Sequence, residues 1–376
     1  MLDRERDAWT WLASVEGVTP ARFRRMMEFY GSAQEVRRSF DIGARGILGD
    51  RAYLELAAAR TDAYFDALMD TMRKSGMQAV CTEDPTYPPL LVHIGDPPPV
   101  LFVRGSADLS DARTVAVVGS RRATRYGLRQ AERFGRELAR AGVTVVSGMA
   151  RGTDTAAHVG CLSGGGRTIA VLGCGVDVVY PPENRELFAR VIGEGGSIIS
   201  EFAPGTGPLA QNFPRRNRII SGMCVGVLVT EAARGSGAMI TVQHALDQGR
   251  EVFAMPGPVD APMSEMPLQL LFEGACLARG ADDILGHLQW DMQAPDEAPD
   301  DMPEAAPQLD PDEQKIVQLL ENEPLSFDQL LVQTGFSPDK LNMLLTTLEI
   351  KEIMKQLPGC MYVLERSSSH VGGVLS

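Results

Sequence analysis

Val115-Ala116-Val117-Val118-Gly119-Ser120-Arg121-Arg122 begins as a β-branched apolar run and stops at a glycine followed, after one serine, by two arginines. A short apolar run that ends at a turn residue predicts a buried strand. The next segment, Tyr126 to Ala141, sets Leu128, Ala131, Phe134, Leu138 and Ala139 on one helical face. Gly142 ends that helix. Val143 to Val146 is a second apolar run, and it leads into Ser147-Gly148-Met149-Ala150-Arg151-Gly152. Strand, Gly-rich turn, helix and strand in this order predict neighbouring parallel strands. The turns then lie at the carboxyl ends of the strands, where ligands bind. Backbone N–H groups at a glycine turn or a helix N-terminus suit a phosphate. Arg121 adds a charge that can grip one bidentately.

The alternation continues to about Gly286. A helix is predicted from about Thr153, carrying Ala156, Ala157, His158 and Leu162. Thr168 to Leu172 reads as a strand ending in Gly173, Asn184 to Ile192 as a helix, and Ser197 to Ser200 as a strand ending at Glu201. Cys224 to Val229 is a strand running into Thr230-Glu231-Ala232-Ala233-Arg234-Gly235-Ser236-Gly237. Ala238 to Asp247 is helical, and Glu251 to Ala254 is a strand before Pro256-Gly257. The fold class is α/β, a doubly wound parallel sheet. Its punctuating glycines recur at the same end of successive strands and converge on one rim. Upstream, Val100 to Gly105 follows a Pro-rich stretch and reads as an edge strand.

Several chemistries are poorly served by this rim. The chain has no Gly-x-x-x-x-Gly-Lys-Ser/Thr, and Gly-Ser-Arg replaces Gly-x-Gly-x-x-Gly after the first strand. No nucleophile triad or metal-ligand spacing stands out, and no cofactor is expected. His158 sits on an Ala-rich helix, where a structural hydrogen bond to a neighbouring loop is the commoner use. Glu201 and Glu231 are the rim carboxylates available for acid–base work, with hydrogen bonding to the glycine loops as the plainer reading. The six cysteines are scattered without a Cys-x-x-Cys pair, which fits a reducing cytoplasm. No apolar run is long enough to span a bilayer, and the first residues do not resemble a signal peptide, so no membrane partner is expected.

The formal net charge of −13 argues, taken alone, against nucleic acid. The nine acids of residues 291–313, with no Lys or Arg among them, account for most of it, and without them −13 becomes −4. They alternate with Pro295, Pro299, Pro303, Pro307 and Pro311, the composition of a disordered linker. Against that average, Gln211-Asn212-Phe213-Pro214-Arg215-Arg216-Asn217-Arg218 places three arginines and a ring in eight residues. Guanidinium planes and a ring beside a glycine rim suit a single strand, whose phosphates meet charge and whose bases meet flat faces. The plainer reading is a solvated turn with Phe213 tucked into the core.

Residues 113 to 286 resemble the DNA processing protein A family (DprA, also called Smf). The pieces that carry the likeness are Val118-Gly119-Ser120-Arg121 with Tyr126-Gly127, Ser147 to Asp154 with Ala157-His158, and Thr168 to Gly173 with Tyr180-Pro181. They continue with Ile199-Ser200-Glu201, Phe213 to Ile220, Glu231-Ala232 with Ser236-Gly237, and Pro256-Gly257. The resemblance implies an extended Rossmann-like core that binds single-stranded DNA. It also implies a homodimer that protects incoming strands and helps to load the RecA recombinase during natural transformation. It places DNA phosphate at Gly119, Ser120 and Arg121, with the Phe213–Arg218 segment nearby. The full candidate set adds Arg122, Gly148, Arg151, Gly152, Gly235, Ser236 and Gly237 to Phe213, Arg215, Arg216, Asn217 and Arg218. One departure stands out. The family's Gly-x-Asn after the last strand is replaced here by Ser264-Glu265-Met266-Pro267-Leu268.

The flanks read as separate modules. Residues 1–80 are predicted to form a small helical domain in which Gly17-Val18-Thr19-Pro20 resembles a helix–hairpin–helix turn. Arg22, Arg24 and Arg25 would suit phosphates, although a solvated basic face is the commoner use of such arginines. Residues 81–287 form the Rossmann-like domain, 288–309 the acidic Pro-rich linker, 310–366 a winged-helix domain and 367–376 a disordered tail. In the winged helix, Ser326 caps a helix carrying Leu330 and Leu331. Ser337-Pro338 starts the third helix, with Leu341, Leu344, Leu345 and Leu348, and Pro358-Gly359 turns the wing. The third helix offers Asp339, Lys340, Asn342, Thr346, Thr347, Glu349 and Lys351, a mixed face better suited to a protein contact than to base reading. The reading is a binding protein and not an enzyme. The rivals are a nucleotide hydrolase of the LOG type, whose Pro-Gly-Gly-x-Gly-Thr-x-x-Glu pattern is absent, and a winged-helix transcription regulator.

Overall fold

Val115 to Val118 are all buried, as expected for a strand with a helical layer on each face. The computed structural model describes residues 2–290, 310–320, 325–351, 353–357 and 361–364. The acidic segment 291–309, the wing turn Pro358-Gly359 and the tail 367–376 lie outside the described residues. The chain divides into two units, residues 1–296 and 297–376.

The first unit opens with five helices, α1 (Leu2–Ser14), α2 (Pro20–Tyr30), α3 (Ala33–Ser39), α4 (Ala44–Ala59) and α5 (Asp62–Lys74). Strands β1 (Met77–Cys81) and β2 (Val100–Gly105) follow. The alternating part then runs β3 (Thr114–Val118), α6 (Arg125–Arg140), β4 (Thr144–Ser147), α7 (Thr153–Ser163), β5 (Thr168–Val171), α8 (Arg185–Gly193) and β6 (Ser197–Ser200). It continues through α9 (Asn212–Gly222), β7 (Gly226–Val229), α10 (Ala238–Asp247), β8 (Glu251–Ala254), α11 (Glu265–Phe272), β9 (Cys276–Leu277) and α12 (Ala281–His287).

The nine strands form one sheet in the order β1-β2-β6-β5-β4-β3-β7-β8-β9. The seven from β6 to β9 are parallel, and β1 and β2 are antiparallel additions. Val100–Gly105 is therefore an interior strand and not the edge expected from the sequence. Met77–Cys81, inside the stretch read as helical up to residue 80, pairs along it and takes the edge. Nothing in the Pro-rich stretch between them announces that pairing.

Side chains alternate between the two faces, as the pleat requires. Ala116, Val118, Val146, Val227 and Val229 pack toward Ile219 and Ile220 of α9 and Val242 of α10. Val115, Val117, Val145, Leu228 and Phe253 pack toward Phe134 and Leu138 of α6 and Ile284 of α12. At the β2–β6 end, Phe102, Ala170 and Ile198 share one apolar cluster with Leu187 and Phe188 of α8 and with Trp11, Phe23, Met26, Leu48 and Leu56 of the N-terminal helices. Those helices are thus built onto the sheet. The basic turn there is closed in the ordinary way. The Thr19 side chain accepts from the Arg22 N–H to cap α2, and the Arg22 guanidinium donates to the Gly17 carbonyl at 2.8 Å.

The second unit contains α13 (Pro311–Leu320), β10 (Leu325–Ser326), α14 (Phe327–Thr334), α15 (Pro338–Ile350), β11 (Met354–Leu357) and β12 (Met361–Leu364). Ser326 and Gln329 close a capping box, Gly335 ends α14 in the left-handed region, and Ser337 caps α15. The strands β10, β12 and β11 pair antiparallel in that order. Ile316, Leu330, Leu341, Leu344 and Leu348 give the unit its own core. This is the winged helix read from the sequence.

Candidate nucleic-acid interface

β3 and β7 are neighbours, yet the chain leaves β3 toward β4 and reaches β7 only after β6. That reversal is the topological switch point, where successive helices pass to opposite faces and a crevice opens at the carboxyl ends. A cleft of about 560 Å³ fills it, within the roughly 300–1,000 Å³ range of ligand sites. Gly119, Ser120, Arg121 and Arg122 line it from the β3 turn, Ala150 from the β4 turn, Asp154 from the start of α7, and Tyr180 from the loop after β5. Phe213, Pro214, Arg216, Asn217 and Ile220 contribute from α9, and Ser236, Gly237 and Ala238 from the start of α10.

The candidate arginines divide into two kinds. Arg121 and Arg122 are exposed, and neither has a carboxylate partner among the described residues. The Arg121 guanidinium lies 5.4 Å from the Phe213 ring centroid. Phe213 in turn sits 5.5 Å from Tyr180, tilted by 41°. An exposed cation over one ring, with a second ring beside it, offers a phosphate contact and a flat apolar face together.

Arg216 and Arg218 are buried. The segment for which a solvated turn was the plainer reading is the first two turns of α9, because Asn212 to Gly222 turns Ile219 and Ile220 into the core. Arg216 donates to the carbonyls of Gly148, at 2.7 Å, and Val171. Burial lowers its pKa to about 10, still cationic at neutral pH. A Cβ on Gly148 would collide with this guanidinium, so only glycine lets the arginine lie against that turn. Arg218 donates to both oxygens of Glu201, at 2.8 and 2.9 Å, and Arg215 donates to one of them at 2.9 Å. Arg218 and Glu201 keep 9% and 3% of their side-chain surface, whereas Arg215 keeps 38% and lies over Phe202. Arg218 thus anchors α9 to β6 and Arg215 is half available.

The backbone donors of the rim are also used internally. The Asp154 carboxylate accepts from the N–H groups of Gly148 and Ala150, at 3.0 and 3.3 Å. Burial pushes its carboxyl up, and the Arg216 charge opposes that. The Ser120 N–H donates to the Glu231 carbonyl at 2.6 Å. The N–H groups of Ser120, Gly148 and Ala150 are thus satisfied within the chain. Gly152, at φ +76°, packs against the Ser120 carbonyl where a Cβ would not fit, which joins the β3 and β4 turns. Arg151 is exposed and pairs with Glu183. Gly235 and Gly237 flank Ser236, whose side chain accepts from the Ala238 N–H at 3.3 Å as α10 begins. Asn217 reaches the Gly237 carbonyl at 3.5 Å.

The rim carboxylates are structural, with partners other than the expected glycine loops. Glu201 holds arginines, and Glu231 accepts from the N–H and hydroxyl of Thr124, the α6 cap, at 2.8 and 2.7 Å. His158 contacts a strand residue and not a loop. Its Nδ1 is 2.7 Å from the Thr168 hydroxyl, which itself donates to the Val145 carbonyl. Nδ1 must therefore carry the hydrogen, which leaves buried Nε2 unpaired. Burial lowers the imidazole pKa to about 3.

Of the residues singled out from the sequence, Gly119, Ser120, Arg121, Arg122, Phe213, Arg216, Asn217, Ser236 and Gly237 line the cleft. Gly148, Arg151, Gly152, Arg215, Arg218 and Gly235 lie around it. Asp154 and Tyr180 are lining residues that sequence reasoning left out. An acid in the first turn of a helix after a glycine turn was the available signal for Asp154. Nothing in the sequence brings Tyr180 to Phe213.

A model of the family described as DNA recombination-mediator protein A matches residues 78–289, and one described as the DprA winged helix domain matches residues 300–360. Protein Smf of Escherichia coli (strain K12) is 40% identical over 296 residues, covering 76% of each chain. DNA processing protein A of Streptococcus pneumoniae aligns with a TM-score of 0.64 at 34% identity, covering 74% of this chain and 97% of that one. The Helicobacter pylori DNA processing protein A, whose structure is described as giving insight into its single-stranded DNA binding mode, aligns with a TM-score of 0.51 at 28% identity. It covers 58% of this chain and 99% of that one.

Proposed function

Because the chain belongs to the DNA recombination-mediator protein A family, we propose that it binds single-stranded DNA across the switch-point cleft and acts as a mediator, not an enzyme. The observation that carries this is Arg121, exposed and in no ion pair with a described carboxylate, over the Phe213 ring, which Tyr180 flanks. Phosphates meet Arg121 and Arg122, and one base lies against the aromatic pair. Arg216 and Asp154 shape the floor without contacting the strand, and Arg218 holds α9 in place behind it. The rim carboxylates support binding over hydrolysis, since Glu201 is committed to two arginines and Glu231 to Thr124. In the fuller reading the protein works in the cytoplasm as a homodimer, protects incoming strands and hands them to the RecA recombinase during transformation. Of that reading, the mediator role has the family's description behind it, and the rest is what the family resemblance implies. The winged helix serves a protein contact: Lys340 and Lys351 are paired with Asp312 and Glu313, at 2.6 and 2.7 Å, leaving little free positive charge on α15 for a duplex.

The test is a fluorescence-anisotropy titration with a labelled single strand and its blunt duplex, beside a nucleotide-hydrolysis assay. Single strands should bind at least roughly tenfold more tightly, and the affinity should fall as salt rises because counterions are released. Equal affinity for the duplex, or turnover of a nucleotide, would overturn the reading.

A further inference from the structure

Far from the cleft, at the amino ends of the strands, three ligand-type side chains of unlike chemistry meet. Glu251 is the first residue of β8, Cys276 the first of β9 and His287 the last of α12. The Glu251 carboxylate lies 3.0 Å from His287 Nε2, and the Cys276 sulfur lies 3.5 Å from the same imidazole. One donor atom from each falls within 4.8 Å of the other two. Tetrahedral zinc bonds of about 2.0–2.3 Å set neighbouring donors about 3.3–3.6 Å apart, close to the observed separations, and a turn of the exposed His287 ring would aim one nitrogen lone pair at an ion between the sulfur and the carboxylate.

The donors are held from behind. Cys276 pairs in register with Phe253 of β8. The His287 ring stands edge-on to the same Phe253, at 5.4 Å and 89°. The carboxylate and imidazole keep 50% and 41% of their surface, so an ion can enter from solvent. The other cysteines among the described residues are buried.

We propose that Glu251, Cys276 and His287 form a divalent-metal site selective for zinc. A thiolate and an imidazole favour Zn²⁺ over the oxygen-seeking Mg²⁺ and Ca²⁺. Binding displaces the thiol proton to solvent and forms one sulfur, one nitrogen and one oxygen bond, with water completing the tetrahedron. The ion ties α12 to β8 and β9, so its role is to clamp the end of the sheet and not to touch DNA.

The experiment uses the full chain without an affinity tag, with Co²⁺ as the optical probe and Zn²⁺ as the competitor. The wild type should bind one equivalent of Co²⁺ with a sulfur-to-cobalt charge-transfer band, release it to Zn²⁺, and melt at higher temperature with Zn²⁺ than with Mg²⁺. Cys276→Ser should lose the band, and Cys276→Ser, His287→Gln and Glu251→Gln should each weaken binding, on the order of 100-fold for the thiol. Asp283→Asn, a nearby acid outside the cluster, should leave binding unchanged. Glu251 and His287 are exposed, and Cys276→Ser changes one atom of a half-buried residue at the edge of the core, so the variants should fold, which circular dichroism checks. Absence of the band in the wild type, or its survival in Cys276→Ser, overturns the site.

Discussion

Replacing Arg121 with alanine removes the exposed guanidinium above Phe213 and leaves the strand end intact. Val118 is buried in the core, whereas Arg121 is exposed and makes no ion pair among the described residues. Folding should lose only the ring contact, about 0.5–1 kcal/mol for a cation–π pair at an exposed site. Binding should lose a charge-assisted phosphate bond, about 1.5–3 kcal/mol. That corresponds to roughly 10- to 150-fold in Kd. The slope of log affinity against log salt should also fall by about 0.7, the share of one neutralised phosphate on a single strand. Arg121→Lys should fall between, because lysine keeps the charge but lacks the planar fork that lies over the ring. Anisotropy with a labelled single strand at several salt concentrations measures affinity and slope, and urea unfolding checks the fold. A folded Arg121→Ala protein with wild-type affinity and slope would refute the placement of DNA at this turn.

Glu201→Gln should destabilise the protein by about 1.5–3 kcal/mol in urea unfolding, because the buried Arg218 cation loses its bidentate carboxylate and keeps only Asp96, at 3.7 Å. A loss below about 1 kcal/mol would show that the pair does not anchor α9. His158 should make stability fall with acid. Its folded pKa of about 3 lies below the ordinary value of 6.5, so between those values the unfolded chain holds a proton that the native state must release. This group has no effect above pH 6.5, and stability is lost as pH falls toward 3, by about 2 kcal/mol between pH 7.5 and 5. Unfolding at both pH values, with His158→Gln as the flattened control, measures it. A fragment ending at residue 290 should keep undiminished single-strand binding, and bind more tightly at low salt without the acidic segment. The isolated second unit should bind feebly. Titration of both with one labelled strand decides the matter, and affinity residing in the second unit would move the site there.

Strand order along the chain, the glycine turns and the winged helix were legible in the sequence because each rests on local rules. β-branched runs, helical periodicity, caps and left-handed glycines act over a few residues, and from Thr114 to Ala254 predicted and observed elements agree to within about two residues, except α9 (Asn212–Gly222), whose Pro- and Arg-rich start hides its helical period. Pairing across the sheet was not legible. Val100–Gly105 looked like an edge until Met77–Cys81 was found beside it, since no local feature of either run specifies its neighbour. The same limit applied to the arginines. Phe213 to Arg218 reads as three equivalent cations and a ring. Only the packing of α9 against β5 and β6 turns Arg216 onto the Gly148 and Val171 carbonyls and Arg218 onto Glu201. Burial converts a guanidinium from a surface charge into an internal hydrogen-bond donor, and burial is a property of the assembled layers. Composition and spacing therefore determined that a Gly-rich, arginine-bearing rim exists. The tertiary structure alone decided that Arg121 and Arg122 face outward over the cleft while their neighbours on α9 hold it together.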